Sequence, residues 1–117
     1  MNENKDVFIN CPYDKDYYPF LRIIIFIIEY FGYTPRLSLQ TFDTKKNRLD
    51  VIKELMEKSA YSIHDISHRS SRLNMAFELG IDYGLSRNIY NKTFLVLEDK
   101  KYCSKKKFSD INGWDIK

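Results

Sequence analysis

Apolar and polar positions alternate along the chain in blocks of two lengths. Short apolar runs at Val7-Phe8-Ile9, Tyr33 to Leu39, Tyr61 to Ile66 and Thr93 to Leu97 are bounded by polar residues or proline and predict strands. Between them lie longer stretches. The first, from about Tyr17 to Phe31, is apolar at nearly every position from Phe20 to Ile28. Its isoleucines also suit a strand, but roughly 15 residues is long for a strand and ordinary for a helix. A helix apolar all round is expected to be buried on more than one side. Asp14 and Asp16 are its candidate caps, Pro19 fits its first turn and Gly32 its end. Pro35 makes the second strand an edge strand, or one that begins after that residue.

Arg48 to Ser59 predicts a second helix, with Asn47 as N-cap. Leu49, Ile52 and Met56 form its dry side, and Lys53, Glu54, Glu57 and Lys58 its wet side. A third helix is expected over about Leu73 to Leu85. Its small residues Ala76, Gly80 and Gly84 recur at spacing four, which predicts close approach to a sheet or another helix. Polar loops fall at 41–47 and 68–72. After residue 98 a basic loop leads to a short element from Phe108 to Trp114. The order β-α-β-α-β-α-β argues for a parallel sheet with helices on both faces. Ligands in such sheets bind beyond the carboxyl ends of the strands. That rule selects residues 10–17, 40–48, 65–78 and 98–107.

The chain has 117 residues, the size of one domain, and 44% hydrophobic with 30% charged residues marks it as globular. Two cysteines exclude a disulfide framework or a closed zinc site, which makes a cytoplasmic, reducing setting the default. The longest purely apolar run, Ile23 to Ile28, is far short of the roughly 20 residues needed to span a bilayer, and the N-terminus has no leader pattern. The net charge of +3 is concentrated after residue 85, chiefly at Lys100, Lys101, Lys105, Lys106 and Lys107. No helix-turn-helix, zinc-finger or RNA-binding signature accompanies it, so neither nucleic acid nor membrane is an expected partner.

Glu78 is the most informative polar residue. It sits in Asn74-Met75-Ala76-Phe77-Glu78-Leu79-Gly80, with Asn74 one turn before it and Asp82 one turn after. If the stripe looks into the ligand cleft, Glu78 can hydrogen-bond a ribose or stabilise an oxocarbenium ion. Spacing alone favours a solvated helix carboxylate instead. His64 closes the third strand and reads as a hydrogen-bonded residue of the core edge rather than an acid or base. Asp65 beside it either binds a hydroxyl or holds a loop. Cys11 reads as a small buried thiol and Cys103 as incidental. The lysine cluster lacks a Gly-rich cradle, so Arg36, Arg48, Arg69 and Arg72 are the better phosphate candidates.

Two segments carry a family resemblance. Asp6-Val7-Phe8-Ile9-Asn10-Cys11-Pro12-Tyr13-Asp14-Lys15-Asp16-Tyr17 resembles the opening of TIR and TIR-like domains. Asn74 to Gly80 is similar to the Asn-x-x-Phe-Glu-Leu-Gly motif of bacterial TIR-like nucleotide-binding proteins, and to the Glu-Leu-Gly segment of nucleoside deoxyribosyltransferases. The resemblance covers about residues 6–98. It implies an α/β, flavodoxin-like three-layer sandwich with a parallel sheet of four or five strands, in one TIR-like domain over 1–117 that lacks its last element if a fifth strand is required. It implies cleavage of an N-glycosidic bond, typically that of NAD as substrate, with no separate cofactor and no metal. Glu78 matches the catalytic Glu. Asn10, Cys11, Pro12 and Tyr13 match the first-loop nucleotide contacts, with Asp65, Arg72 and Asn74 as further ligand-binding candidates. Many bacterial relatives are anti-phage defence effectors that act as homo-oligomers. A non-catalytic module binding a nucleotide or another protein is the alternative, and a deoxyribosyltransferase-like enzyme a second one. The transferases carry Asp-Gly six residues before the Glu, where this chain has Arg72-Leu73, and that departure weighs against deoxyribosyl transfer. The loop after the second strand lacks the Gly-Pro feature of receptor-type TIR domains, which weighs against adaptor signalling.

Overall fold

A computed structural model describes residues 4–38, 47–67, 72–86 and 92–98. Four parallel strands are described: β1 (Asp6–Asn10), β2 (Thr34–Arg36), β3 (Tyr61–Asp65) and β4 (Thr93–Leu97). Three helices, α1 (Tyr18–Tyr30), α2 (Arg48–Lys58) and α3 (Arg72–Ser86), connect them in turn. The sheet order is β2-β1-β3-β4. The order reverses after β2, so the chain is doubly wound and its helices fall on opposite faces. This is an α/β fold of the flavodoxin-like kind. The basic cluster from Lys100 to Lys107, Cys103, the element expected at Phe108–Trp114, the loop 41–46 and Arg69 lie outside the described residues.

The pleat sorts side chains between the faces. Val7 and Ile9 pack with Leu21 and Ile28 of α1. Phe8 turns to the other side and packs with Ile52 and Met56 of α2. Ile66 and Val96 join Met75 and Leu79 of α3 on that same side. The long apolar positions of each element thus assemble three clusters around one sheet.

Local signals act where the chain turns. Asn47 caps α2 by accepting from the backbone of Asp50 at 2.9 Å, as expected. Gly32 ends α1 at φ +84°, a conformation that costs glycine little. Asp14 does not cap α1 itself. Its side chain accepts from the backbone of Tyr17 at 3.0 Å and closes the preceding turn, and Tyr17 occupies the N-cap without a side-chain bond. β2 is shorter than expected: Pro35 lies within it, so it sits at the edge where a missing donor is tolerated.

Three expectations are corrected. α1 is not buried on several sides: only Leu21 and Ile28 are buried, while Phe20, Ile23, Phe26, Ile27 and Tyr30 are exposed. The apolar composition exceeds what one sheet face can cover. The stripe Ala76, Gly80, Gly84 is not a close-packing seam. A methyl group added at Gly80 or Gly84 would meet nothing within 4 Å among the described residues. α3 instead turns Met75, Glu78, Leu79, Asp82 and Ser86 inward, at helical spacing. Leu49 is exposed, and Val51 joins Ile52 and Met56 on the dry side of α2.

Met56 is fully buried, so Met56→Ala should cost about 2–5 kcal/mol. Leu73→Ser, at an exposed position, should stay within about 0.5 kcal/mol. Chemical denaturation monitored by circular dichroism compares the two.

Candidate active site

β1 and β3 pair in register, which sets Asn10 opposite His64 near the carboxyl edge of the sheet. Both side chains point to the α3 side and both are buried. The Asn10 carboxamide donates to the backbone carbonyl of Met75 at 3.2 Å, and its Nδ2 lies 3.0 Å from Nδ1 of His64. A carboxamide nitrogen can only donate, so Nδ1 of His64 is the acceptor and the ring proton resides on Nε2. That Nε2–H donates to Asp82 Oδ2 at 2.8 Å. The other oxygen of Asp82 accepts from Lys92 Nζ at 2.6 Å, and Lys92 also donates to the backbone carbonyl of Met56. Four side chains from β1, β3, α3 and the residue before β4 therefore form one buried chain.

The electrostatics agree with this assignment. Burial pushes the His64 pKa below its ordinary value, and the opposing pull of Asp82 does not cancel it. Asp82 is pushed up by burial, yet its bonds to His64 and Lys92 outweigh that and hold it below the usual carboxylate range. Burial lowers the Lys92 pKa from its usual high value. The group thus comprises a neutral imidazole, a carboxylate and an ammonium whose charges cancel. Its members would be costly to bury singly.

Glu78 lies on the same inward face of α3, between Met75 and Asp82, and is only 4% exposed. Helical rise sets it about 4.5 Å along the axis from Met75 and about 6 Å from Asp82. The expectation of a solvated carboxylate is therefore corrected. Asn74 is exposed and donates to Glu78 Oε1 at 3.2 Å. The stripe Asn74, Glu78, Asp82 runs from the surface at the carboxyl edge into the interior, because α3 descends antiparallel to the strands. His64 is a satisfied core residue, as read from the sequence.

The other candidates occupy the same edge. Asp65 faces α1, where the Tyr17 hydroxyl donates to its Oδ2 at 2.5 Å. Its Oδ1 accepts from the backbone of Ser67 at 2.9 Å and from the Ser67 hydroxyl. Asp65 thereby ties the start of the following loop to α1. Burial and this bond hold the Tyr17 phenol protonated, well above its ordinary pKa. Cys11 is buried in the α1 cluster and Pro12 is buried next to it. The Tyr13 hydroxyl accepts from both the backbone and the hydroxyl of Ser38, at 3.2 and 3.1 Å, joining the loops after β1 and β2. Arg72 begins α3. Arg36 pairs with Asp6 at 3.3 Å, away from the carboxyl edge, which removes it as a phosphate candidate. No group of acidic, His and Cys side chains suited to a metal occurs among the described residues. No helix among them is long and apolar enough to cross a membrane.

Sequence reasoning missed Lys92, Tyr17 and Ser67. Lys92 carried a faint signal as the cation directly before an apolar strand. Tyr17 carried none, because its partner is 48 residues away.

No family model and no curated protein matches the chain. Among solved structures the chain is similar to a 2-desoxiribosyltransferase from Leishmania mexicana, with a TM-score of 0.64 and 17% identity over 90% of this chain and 71% of that one. At that identity the likeness establishes a shared fold.

Removing the Lys92 ammonium would strand the buried Asp82 carboxylate, so Lys92→Met should cost about 3–5 kcal/mol in denaturant unfolding. Acid should also destabilise the protein in two stages. His64 binds its proton more weakly folded than unfolded, so stability falls as pH drops below the unfolded value of about 6.5. Asp82 is depressed, so its contribution is present above its unfolded pKa and is lost as pH falls through its lower folded value. Unfolding free energies measured from pH 8 to 2 should decline first from about pH 6.5 and again below about pH 4, and His64→Gln should flatten the first decline alone.

Proposed function

We propose that this chain breaks the bond between base and sugar in a nucleoside or nucleotide, with Glu78 as the carboxylate at the anomeric carbon. The observation that carries this reading is the burial of Glu78 near the carboxyl edge, one helical turn from Met75, whose carbonyl holds Asn10. Open α/β sheets bind ligands at that edge. A carboxylate in such a place either stabilises an oxocarbenium ion or attacks C1′, and the base leaves with a proton. The fold shared with a deoxyribosyltransferase favours transfer of the sugar between bases, by two displacements at the same carbon. A second acceptor, water, makes the same site a hydrolase.

A second reading, hydrolysis of NAD by a TIR-like enzyme, is supported by Arg72-Leu73 in the place of the transferases' Asp-Gly pair. In that reading the chain works as a homo-oligomer, with a role in bacterial defence.

The two readings divide on substrate. Purified protein is incubated with 2′-deoxyuridine plus adenine, and separately with NAD, and the bases are followed by chromatography. Appearance of 2′-deoxyadenosine supports transfer, and nicotinamide release supports the NAD reading. In either case Glu78→Gln should slow turnover at least about 100-fold. Absence of any base release overturns the proposal. Turnover untouched by Glu78→Gln removes Glu78 from the chemistry.

A further inference from the structure

Both hydrogens of the Asn10 carboxamide nitrogen are committed, one to Met75 and one to His64. Its carbonyl oxygen takes no hydrogen bond among the described residues. Rotating the carboxamide by half a turn would set that oxygen against the Met75 carbonyl, acceptor against acceptor. It would also give His64 Nδ1 no donor. The imidazole cannot adapt by moving its proton to Nδ1, because Nε2 would then face the Asp82 carboxylate without a hydrogen. Asp82 in turn is anchored by Lys92. Each link fixes the donor and acceptor sense of the next.

We infer that His64, Asp82 and Lys92 are positioning residues that lock Asn10 with its carbonyl oxygen presented as a fixed acceptor for a sugar hydroxyl of the ligand. The inference rests on the reading of a nucleoside site at Glu78. The sugar is chosen over the base by proximity. Asn10 is bonded to Met75, and Glu78 follows Met75 by one turn on the same face, so a ligand with its anomeric carbon at Glu78 brings its sugar hydroxyls nearest Asn10. A locked acceptor rejects a ligand lacking the donor, because the acceptor would be covered without a partner.

The lock and its ligand are tested separately. Nitrogen-15 spectra of the full chain without ligand report the His64 tautomer and the exchange of the Asn10 side-chain hydrogens. The Nε2–H form with slowly exchanging Asn10 hydrogens is expected. An Nδ1–H form or fast exchange overturns the lock, whatever the protein binds. For the ligand, dissociation constants are measured by calorimetry for adenosine, 2′-deoxyadenosine and 3′-deoxyadenosine. One of the two deoxynucleosides should bind at least ten-fold more weakly than adenosine. Asn10→Ala should abolish that difference. His64→Leu should shrink it, while His64→Gln, whose carboxamide can accept from Asn10 and donate to Asp82, should restore it. A purely structural role would lower all three affinities together and leave their ratios unchanged, and that result overturns the inference. If no nucleoside binds while the spectra show the lock, the nucleoside reading fails and the sugar assignment fails with it.

Discussion

The structure depends on one buried polar chain, Asn10 to His64 to Asp82 to Lys92. An ionised Asp in a protein interior is tolerated only if something compensates its lost hydration. Here an ammonium and an imidazole N–H take one carboxylate oxygen each. That requirement ties α3 to the start of β4 at one end and to β3 at the other. Asn10 then ties β1 to the first turns of α3. Apolar packing on this face comes from Met75, Leu79, Ile66 and Val96, and would tolerate small shifts. The hydrogen bonds tolerate far less, because each has one donor and one acceptor in a fixed order.

This constraint has a functional consequence. The side of α3 that carries the chain also carries Glu78, so the carboxylate inherits its position from bonds a turn to either side. In the role proposed for it, Glu78 gains from such preorganisation, since an error of about 1 Å at a reacting carbon is costly in rate. On the opposite face, Tyr17 and Ser67 hold Asp65, and Tyr13 holds Ser38. The first residues beyond β2 and β3, Ser38 and Ser67, are thus linked to Tyr13 and to the Tyr17–Asp65 pair at the carboxyl edge, where such a topology directs a ligand.

The elements were legible in the sequence because alternation of short and long apolar blocks reports backbone period directly. Asn47, Gly32 and Pro35 were legible because each acts through its own local geometry. What each face meets was less legible. The apolar run of α1 says that the helix avoids water, and says nothing of how many neighbours exist to cover it. In α3 the polar stripe Asn74, Glu78, Asp82 lies beside Met75 and Leu79, so the same periodicity fits a wet face or a buried one. Burial was decided by His64 and Lys92, which are 18 and 10 residues from Asp82 and reach it through the fold alone. Glu78 stood out in the sequence through its motif, whereas its burial did not.

The most direct test is the structure of a complex between the Glu78→Gln protein and adenosine, in which the slowed turnover leaves the ligand in place. The anomeric carbon is predicted within about 3.5 Å of the residue 78 side chain, with a sugar hydroxyl on the Asn10 carbonyl oxygen. A nucleoside bound elsewhere, or bound at this edge with its sugar turned away from residue 78, would contradict the assignment of Glu78 as the reacting carboxylate.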